Sequence, residues 1–508
     1  MVIVVSTKMK NIKIPILCGL ICLASITLAQ QNYVELKPED TKEDIIRKAA
    51  HVRPTKRQLK WQELEVTGFI HYGINTFTGK EWGDGKEDPK LFNPKKQDAE
   101  QWVKIAKKAG IKLLILTAKH HDGFCLWPTA TTEHSIKNSP YLNGQGDVMK
   151  ELSDACRKHG VKFGVYLSPW DQHEAVYGTE AYNDFFVKQL TELLTQYGQV
   201  DEVWFDGANG EGPNGKKQEY DFERYYKTIR AIQPEAVIAV MGPDVRWVGT
   251  ETGYGRDTEW SVVPTAALRQ DAVAGESQQD MTIKPKGDMR NSDLGSRSQI
   301  EKAEALVWYP AETDVSIRPG WFFHENQNDQ VKSPEKLLDI YFNSVGKNGV
   351  LLLNIPPSQD GLIHEKDEQA LIGWKNLRDQ IFANNLLKTT SAKLINQHKE
   401  IITKKEKTGQ YWTTKGVDTA TFVFDIGKEQ EFNLLDISEF IKYGQRVEKF
   451  ELEVLQNNAW TKVASGTTIG SRRILQFNTI KGKHVRLKIL ESRLNPMIQN
   501  IGLYHYIQ

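Results

Sequence analysis

The sequence is short of several features that would settle its class at once. Only four of its 508 residues are cysteine, too few and too irregularly placed for a disulfide scaffold or a paired-Cys zinc site. It has no surplus of charge, with 66 Lys+Arg against 65 Asp+Glu, so nothing marks it for nucleic-acid phosphates or an anionic membrane surface. No G-x-G-x-x-G follows a first strand, no H-E-x-x-H occurs and no G-x-S-x-G turn follows a strand. The usual signatures of dinucleotide binding, zinc proteolysis and serine hydrolysis are therefore missing. There is no internal repeat and no low-complexity tract. What is present is an ordinary composition, 39% hydrophobic and long enough for two or three domains. The 13 Trp and 17 Tyr are flat rings of the kind that proteins place against sugars.

The N-terminus carries Lys8, Lys10 and Lys13, then an apolar run from Ile14 to Leu28, then Thr27-Leu28-Ala29 ahead of Gln30. This pattern predicts a secretory signal peptide over 1–29, with Met9 as an alternative start. The run falls short of the roughly 20 apolar residues of a membrane span, and neither Cys18 nor Cys22 follows the small residue that a lipoprotein signal requires. Removing the segment leaves a net charge of about −2. The expected protein is exported, periplasmic or extracellular, with no membrane span after cleavage. Cys125 and Cys156 remain, and they either pair or are small buried side chains.

After a polar, helix-leaning arm over Val34–Lys60, strand-like runs alternate with helical periods. The runs are Gly68–Tyr72, Leu113–Thr117, Lys162–Leu167, Val203–Asp206, Val237–Met241 and Val350–Asn354. Helical periods are clearest at Asp98–Ala109, Asp147–His159, Ala181–Tyr197 and Tyr220–Ile232. Such alternation means right-handed crossovers and a parallel sheet. It predicts a (β/α)8-like barrel within 30–385, with a doubly wound open sheet as the alternative. The sixth and seventh strands are the weak part, with only Thr258–Val262 and a run near Trp321–Phe323 on offer. From Thr389 to Gln508 the texture changes to short alternating runs at Thr421–Phe424, Phe450–Val454, Trp460–Val463, Ile474–Phe477 and His484–Ile489. That predicts a β-sandwich over 389–508, either glycan-binding or a packing support.

Chemistry gathers at the strand ends. In EVWFDGANG, an apolar run passes directly into Asp206, and the C-terminal ends of barrel strands are where catalytic groups sit. Taken alone, Asp206 would equally cap a helix or open an Asp-Gly turn. But His71-Tyr72, Lys119-His120-His121-Asp122 and Tyr166-Leu167-Ser168 stand at corresponding ends of neighbouring strands. Neutral imidazoles, each with one donor and one acceptor, match sugar hydroxyls. A metal is not expected, because consecutive residues of an extended segment point in opposite directions and no spacing completes a shell. No cofactor is expected either. Glycoside hydrolysis needs two carboxyl groups. Asp206 is the first, and Glu251, in the glycine-rich stretch after the fifth strand, is the second, with Glu259 and Glu312 as rivals.

GFIHYG, EWGDG, AKHHDGF, GVYLSPW, VWFDGANG and LLLNIPP together resemble glycoside hydrolase family 29, the retaining alpha-L-fucosidases, in order from Gly68 to Pro357. GINTFTGKEWGDG, RWVGTETGYG with DTEWSVVP, and WYPAETDVSIRPGWFFH further resemble the subgroup acting on alpha-1,3/1,4-linked fucose of Lewis-type branched glycans, whose members commonly carry a C-terminal β-sandwich. The resemblance implies Asp206 as nucleophile and Glu251 as general acid/base. It implies that His71, Glu81, Trp82, His120, His121, Tyr166 and Trp321 hold the fucose, and that Glu312 and Asp314 meet a galactose branch. A retaining pair implies carboxyl groups about 5 to 5.5 Å apart.

Overall fold

The computed structural model describes residues 32–265, 293–388, 393–395 and 401–506. The expected signal segment with Met9, Cys18 and Cys22, and the expected domain start at Thr389, lie outside the described residues.

Eight parallel strands form the barrel: β1 (Val66–Ile70), β2 (Leu113–Lys119), β3 (Lys162–Leu167), β4 (Glu202–Phe205), β5 (Val237–Val240), β6 (Arg246–Trp247), β7 (Ala311–Ser316) and β8 (Val350–Asn354). Strands adjacent in sequence are adjacent in space, and β8 closes onto β1, its Leu353 opposite Gly68. Among the described residues only the β5–β6 seam lacks a backbone ladder. Side chains close it instead. The Asp244 carboxylate accepts from Ile238 N at 2.9 Å, from Arg57 Nε at 3.0 Å and from Arg230, while Gln58 Nε2 donates to Asp244 O at 2.8 Å and Trp308 O at 2.9 Å.

Helices α1 (Ala99–Lys108), α2 (Val148–His159), α3 (Glu180–Gln196) and α4 (Phe222–Ile232) follow the first four strands, and α5 (Pro334–Asn343) and α6 (Glu365–Phe382) follow β7 and β8. The side chains of Asp98, Asp147, Asp221 and Ser333 accept from first-turn amides and so set where four of them begin.

Because successive strand residues point to opposite faces, each strand feeds two cores. Ile70, Leu116, Val203, Phe205 and Leu353 meet Trp102, Leu152, Phe186 and Tyr225 beneath the helices. Phe69, Ile115, Tyr166, Trp204, Trp247 and Leu352 fill the barrel interior, which Trp61 of the helix Lys56–Gln62 plugs from below. Glu202, Trp204 and Asp206 therefore share the inward face of β4.

Two expectations are corrected. Thr258–Val262 and Trp321–Phe323 are not barrel strands. Val262–Pro264 belongs instead to a small antiparallel sheet with Ala305–Trp308 and Tyr33–Glu35, and Trp321–Phe323 is loop. The sixth and seventh strands are Arg246–Trp247 and Ala311–Ser316, so Glu251 follows the sixth strand, not the fifth. Cys125 and Cys156 are both buried and unpaired.

The C-terminal part is an antiparallel β-sandwich around Phe422, Phe450, Leu452, Leu487 and Ile501. Its two longest strands, Ala420–Glu439 and Arg473–Ser492, pair with each other through register shifts at Asp425/Gln430 and Phe432/Leu434. Ile474–Phe477 and His484–Ile489, separate in the sequence reading, are thus one irregular strand.

Deep in the barrel, Glu202 and Glu312 are buried neighbours, and the charge of Glu202 raises the proton affinity of Glu312. Trp61 Nε1 donates to Glu202 Oε2 at 2.9 Å and Trp204 Nε1 to Glu312 Oε1 at 2.7 Å. Two facing carboxyls in a dry interior cannot both ionise. Burial pushes Glu202 up to about 8 and Glu312 well above its ordinary range. The folded state therefore keeps protons that the unfolded chain releases in the ordinary carboxyl range, and stability falls as pH rises from there through about 8. Glu202→Gln, which preserves the acceptor for Trp61, is expected to flatten that decline in melting temperature between about pH 6 and about pH 9. An unchanged slope would contradict the retained proton.

Candidate active site

A cavity opens at the C-terminal mouth of the barrel, lined by Phe69, His71, Glu81, Trp82, His120, His121, Trp204, Asp206, Ala208, Val240, Trp247, Glu251, Asp314 and Trp321. Its floor is aromatic because the inward positions just below the strand ends are Phe69, Trp204 and Trp247. These were missing from the sequence-based candidates, although counting back two residues from Asp206 reaches Trp204.

Asp206 stands one residue beyond β4, on the inward row. Ala208 N donates to its Oδ1 at 2.7 Å and the Tyr166 hydroxyl to its Oδ2 at 3.1 Å. The second of these bonds is the part Tyr166 plays, since its ring lies in the interior core, stacked 5.3 Å from Trp204. His121 Nε2 lies 3.9 Å from Asp206 Oδ2. Its Nδ1 is 2.7 Å from Ser168 Oγ, which donates to Trp170 O at 2.6 Å. Ser168 must therefore accept from an Nδ1–H, and Nε2 presents a lone pair, which accounts for the gap to the carboxylate.

His71 is fixed in the same way. Asn354 Oδ1 faces its Nδ1 at 2.9 Å, while Asn354 Nδ2 donates to Ser316 Oγ at 2.9 Å and Trp321 O at 2.8 Å. An amide oxygen only accepts, so His71 carries its proton on Nδ1 and presents Nε2 as an acceptor. Burial holds all three imidazoles neutral. His71 falls to about 3, and His120 and His121 are also lowered. Asn354, the last residue of β8, positions the site and was not among the expected residues.

Glu81 ties two rim loops together. It accepts from Trp321 N at 2.8 Å and Phe322 N at 3.3 Å, and its Oε1 is 2.7 Å from His324 Nε2. A Cβ at Gly320 would lie 2.0 Å from Glu81 Oε1, so a side chain there would push the carboxylate off these partners. Trp82 is 42% exposed at the mouth, edge-on to His121 and Trp170.

Glu251 accepts from Trp321 Nε1 at 3.3 Å. Burial first, then the nearby Asp314 and Asp206 charges, push its carboxyl up to about 8. Asp314 is bonded by Trp247 Nε1 at 2.8 Å and is also raised to about 8, chiefly by burial. The two rivals of Glu251 lie elsewhere. Glu259 is 1% exposed, with its carboxylate held by Arg246 and Arg256. Glu312 does not line the cavity; it is wholly buried beneath it, engaged with Trp204 and Glu202. The cavity thus combines an acidic group held by amide and hydroxyl donors with a second one poised to carry a proton, among neutral hydrogen-bonding rings.

Comparison with known proteins agrees with this chemistry. The family model for alpha-L-fucosidase matches residues 41–374, and that for the NedA-like galactose-binding domain matches residues 403–487. Alpha-L-fucosidase 1 of Arabidopsis thaliana is 42% identical over 464 residues, covering 89% of this chain and 87% of that protein. A crystal structure attributed to an alpha-L-fucosidase of Bacteroides ovatus superposes with a TM-score of 0.82 at 50% identity, covering 94% of this chain and 78% of that one. A Ruminococcus gnavus family 29 fucosidase in complex with fucose superposes with a TM-score of 0.78 at 32% identity, covering 90% of this chain and 95% of that one. The (β/α)8-like barrel, its carboxyl-bearing mouth and these matches agree: the chain belongs to the alpha-L-fucosidases of glycoside hydrolase family 29.

Proposed function

We propose that this alpha-L-fucosidase works by double displacement, with Asp206 as nucleophile and Glu251 as general acid and then base. The observation that carries the reading is that both carboxyls line one cavity in opposite environments. Asp206 accepts from Ala208 N and from the Tyr166 hydroxyl, which fix its carboxylate at the cavity wall for attack. Glu251 is kept protonated by burial and neighbouring acids.

Asp206 attacks the anomeric carbon while Glu251 protonates the departing oxygen. Glu251, now a carboxylate, then takes a proton from the water that releases fucose from Asp206. His71, His120 and His121 receive sugar hydroxyls, Glu81 and Tyr166 fix the rim and the nucleophile, and Trp82 and Trp321 offer ring faces. Asp314 is the acid available to a branch sugar, whereas Glu312 acts from below by holding Trp204. A preference for alpha-1,3/1,4-linked fucose on Lewis-type glycans is supported by the likeness of GINTFTGKEWGDG and WYPAETDVSIRPGWFFH to that subgroup. Export to the periplasm or beyond is supported by the Lys-flanked apolar run and Thr27-Leu28-Ala29.

Asp206→Ala should lower turnover by several orders of magnitude while leaving glycan binding measurable by calorimetry. Retained turnover would end the assignment. Tyr166→Phe, which deletes only the hydroxyl on Asp206, should cost on the order of tenfold in kcat/KM with little change in melting temperature. Because the acid must be protonated to act, kcat/KM should fall as pH rises through about 8; a basic limb set several units lower would contradict Glu251 as the donor. Fucose release from a Lewis trisaccharide, 2'-fucosylated lactose and an aryl fucoside, measured side by side, tests the linkage preference, and equal rates on the first two would reject it.

A further inference from the structure

The loop that delivers Glu251 leaves β6 at Val248 and contains Gly249, Gly253 and Gly255. Its backbone therefore has more freedom to lose on ordering than an ordinary segment. The near leg is tied to the barrel. Val248 N donates to Glu312 O at 2.9 Å, Gly253 N to Asp314 O at 3.0 Å and Gly255 N to Asn343 O at 2.7 Å.

The far leg, 257–261, is held by side chains of the sandwich. Arg473 Nη1 donates to Asp257 O at 2.7 Å, and Glu259 N donates to Thr468 Oγ1 at 3.0 Å. Gln445 spans two residues, its Nε2 donating to Glu259 O at 3.0 Å and its Oε1 accepting from Ser261 N at 2.7 Å. Gln445, Thr468 and Arg473 are all buried, where a hydrogen bond lost leaves a polar group unsatisfied. The Glu259 side chain then returns to Arg246 on β6, the strand from which the loop departed. One end of that salt bridge is thus built on backbone that the sandwich holds.

Polar side chains of the sandwich also reach Glu65, Tyr341 and Asn348 elsewhere on the barrel, but three buried ones converge on the backbone of the segment that follows the proton-carrying residue. We infer that the C-terminal sandwich is a positioning element for the reaction: through Gln445, Thr468 and Arg473 it fixes the far leg of the loop and so keeps Glu251 at the cavity wall.

This inference rests on the proposed acid/base role of Glu251, and that role supplies the test. A displaced general acid harms departure of groups that need a proton and spares those that do not. In the full chain, Thr468→Val removes the acceptor for Glu259 N at nearly constant volume, and Gln445→Ala removes two bonds. For each, kcat/KM is compared on a fucosylated oligosaccharide, whose departing hydroxyl needs a proton, and on a nitrophenyl fucoside, whose phenolate does not. The expected loss is on the order of tenfold greater on the oligosaccharide, with the melting transition retained. Equal losses on both substrates, or none on either, overturn the inference. Should Gln445→Ala not fold, Thr468→Val decides alone. Glu251→Gln measured in parallel separates the two ideas: if it loses equally on both substrates, the acid/base assignment falls, and if it is selective while Thr468→Val is not, only the sandwich's role falls.

Discussion

Inside this barrel, acids are met by indoles rather than by bases. Trp61 donates to Glu202 at 2.9 Å, Trp204 to Glu312 at 2.7 Å, Trp247 to Asp314 at 2.8 Å and Trp321 to Glu251 at 3.3 Å. An indole offers one N–H and no charge. It satisfies a buried carboxyl without cancelling the penalty of ionising it, so Glu202, Glu251 and Asp314 all rise to about 8. Elsewhere the protein uses cations. Lys119 bonds Asp171 at 2.8 Å and keeps it low despite burial. The interior is thus a region where protons are retained, and the cavity is its upper boundary.

Asp206 is bonded differently. It sits at the rim, served by an amide and a phenol, one residue past the point where the strand leaves the core. The reaction proposed for the site needs one acid of each kind, and the barrel supplies them by height: indole-paired carboxyls below and at the wall, and an amide-capped one at the mouth. The same geometry orders the histidines, whose outward nitrogens are set by Asn354 and Ser168 behind them.

The strands that could be read from the sequence are those with apolar residues on both faces. Leu113–Lys119 and Val350–Asn354 are buried at every position and stand out as continuous runs. The seventh strand, AETDVS, is equally buried, but its inward face carries Glu312, Asp314 and Ser316. The polarity that shapes the site hid the strand. The sixth strand is two residues long and gives no periodic signal. Asp206 and the imidazoles were legible because they end strands that were themselves legible. Asn354 and the indole floor were not, because their importance lies in what they hold rather than in any motif. The ties from Gln445, Thr468 and Arg473 join positions roughly two hundred residues apart and leave no local trace.

Both thiols in the described residues, Cys125 and Cys156, are buried and unpaired. Order in this part of the chain therefore comes from packing and hydrogen bonding, with no covalent cross-link to set or lose among the described residues. A reductant thus finds no bond to break in this region, and its addition alone leaves the packing that orders these residues in place.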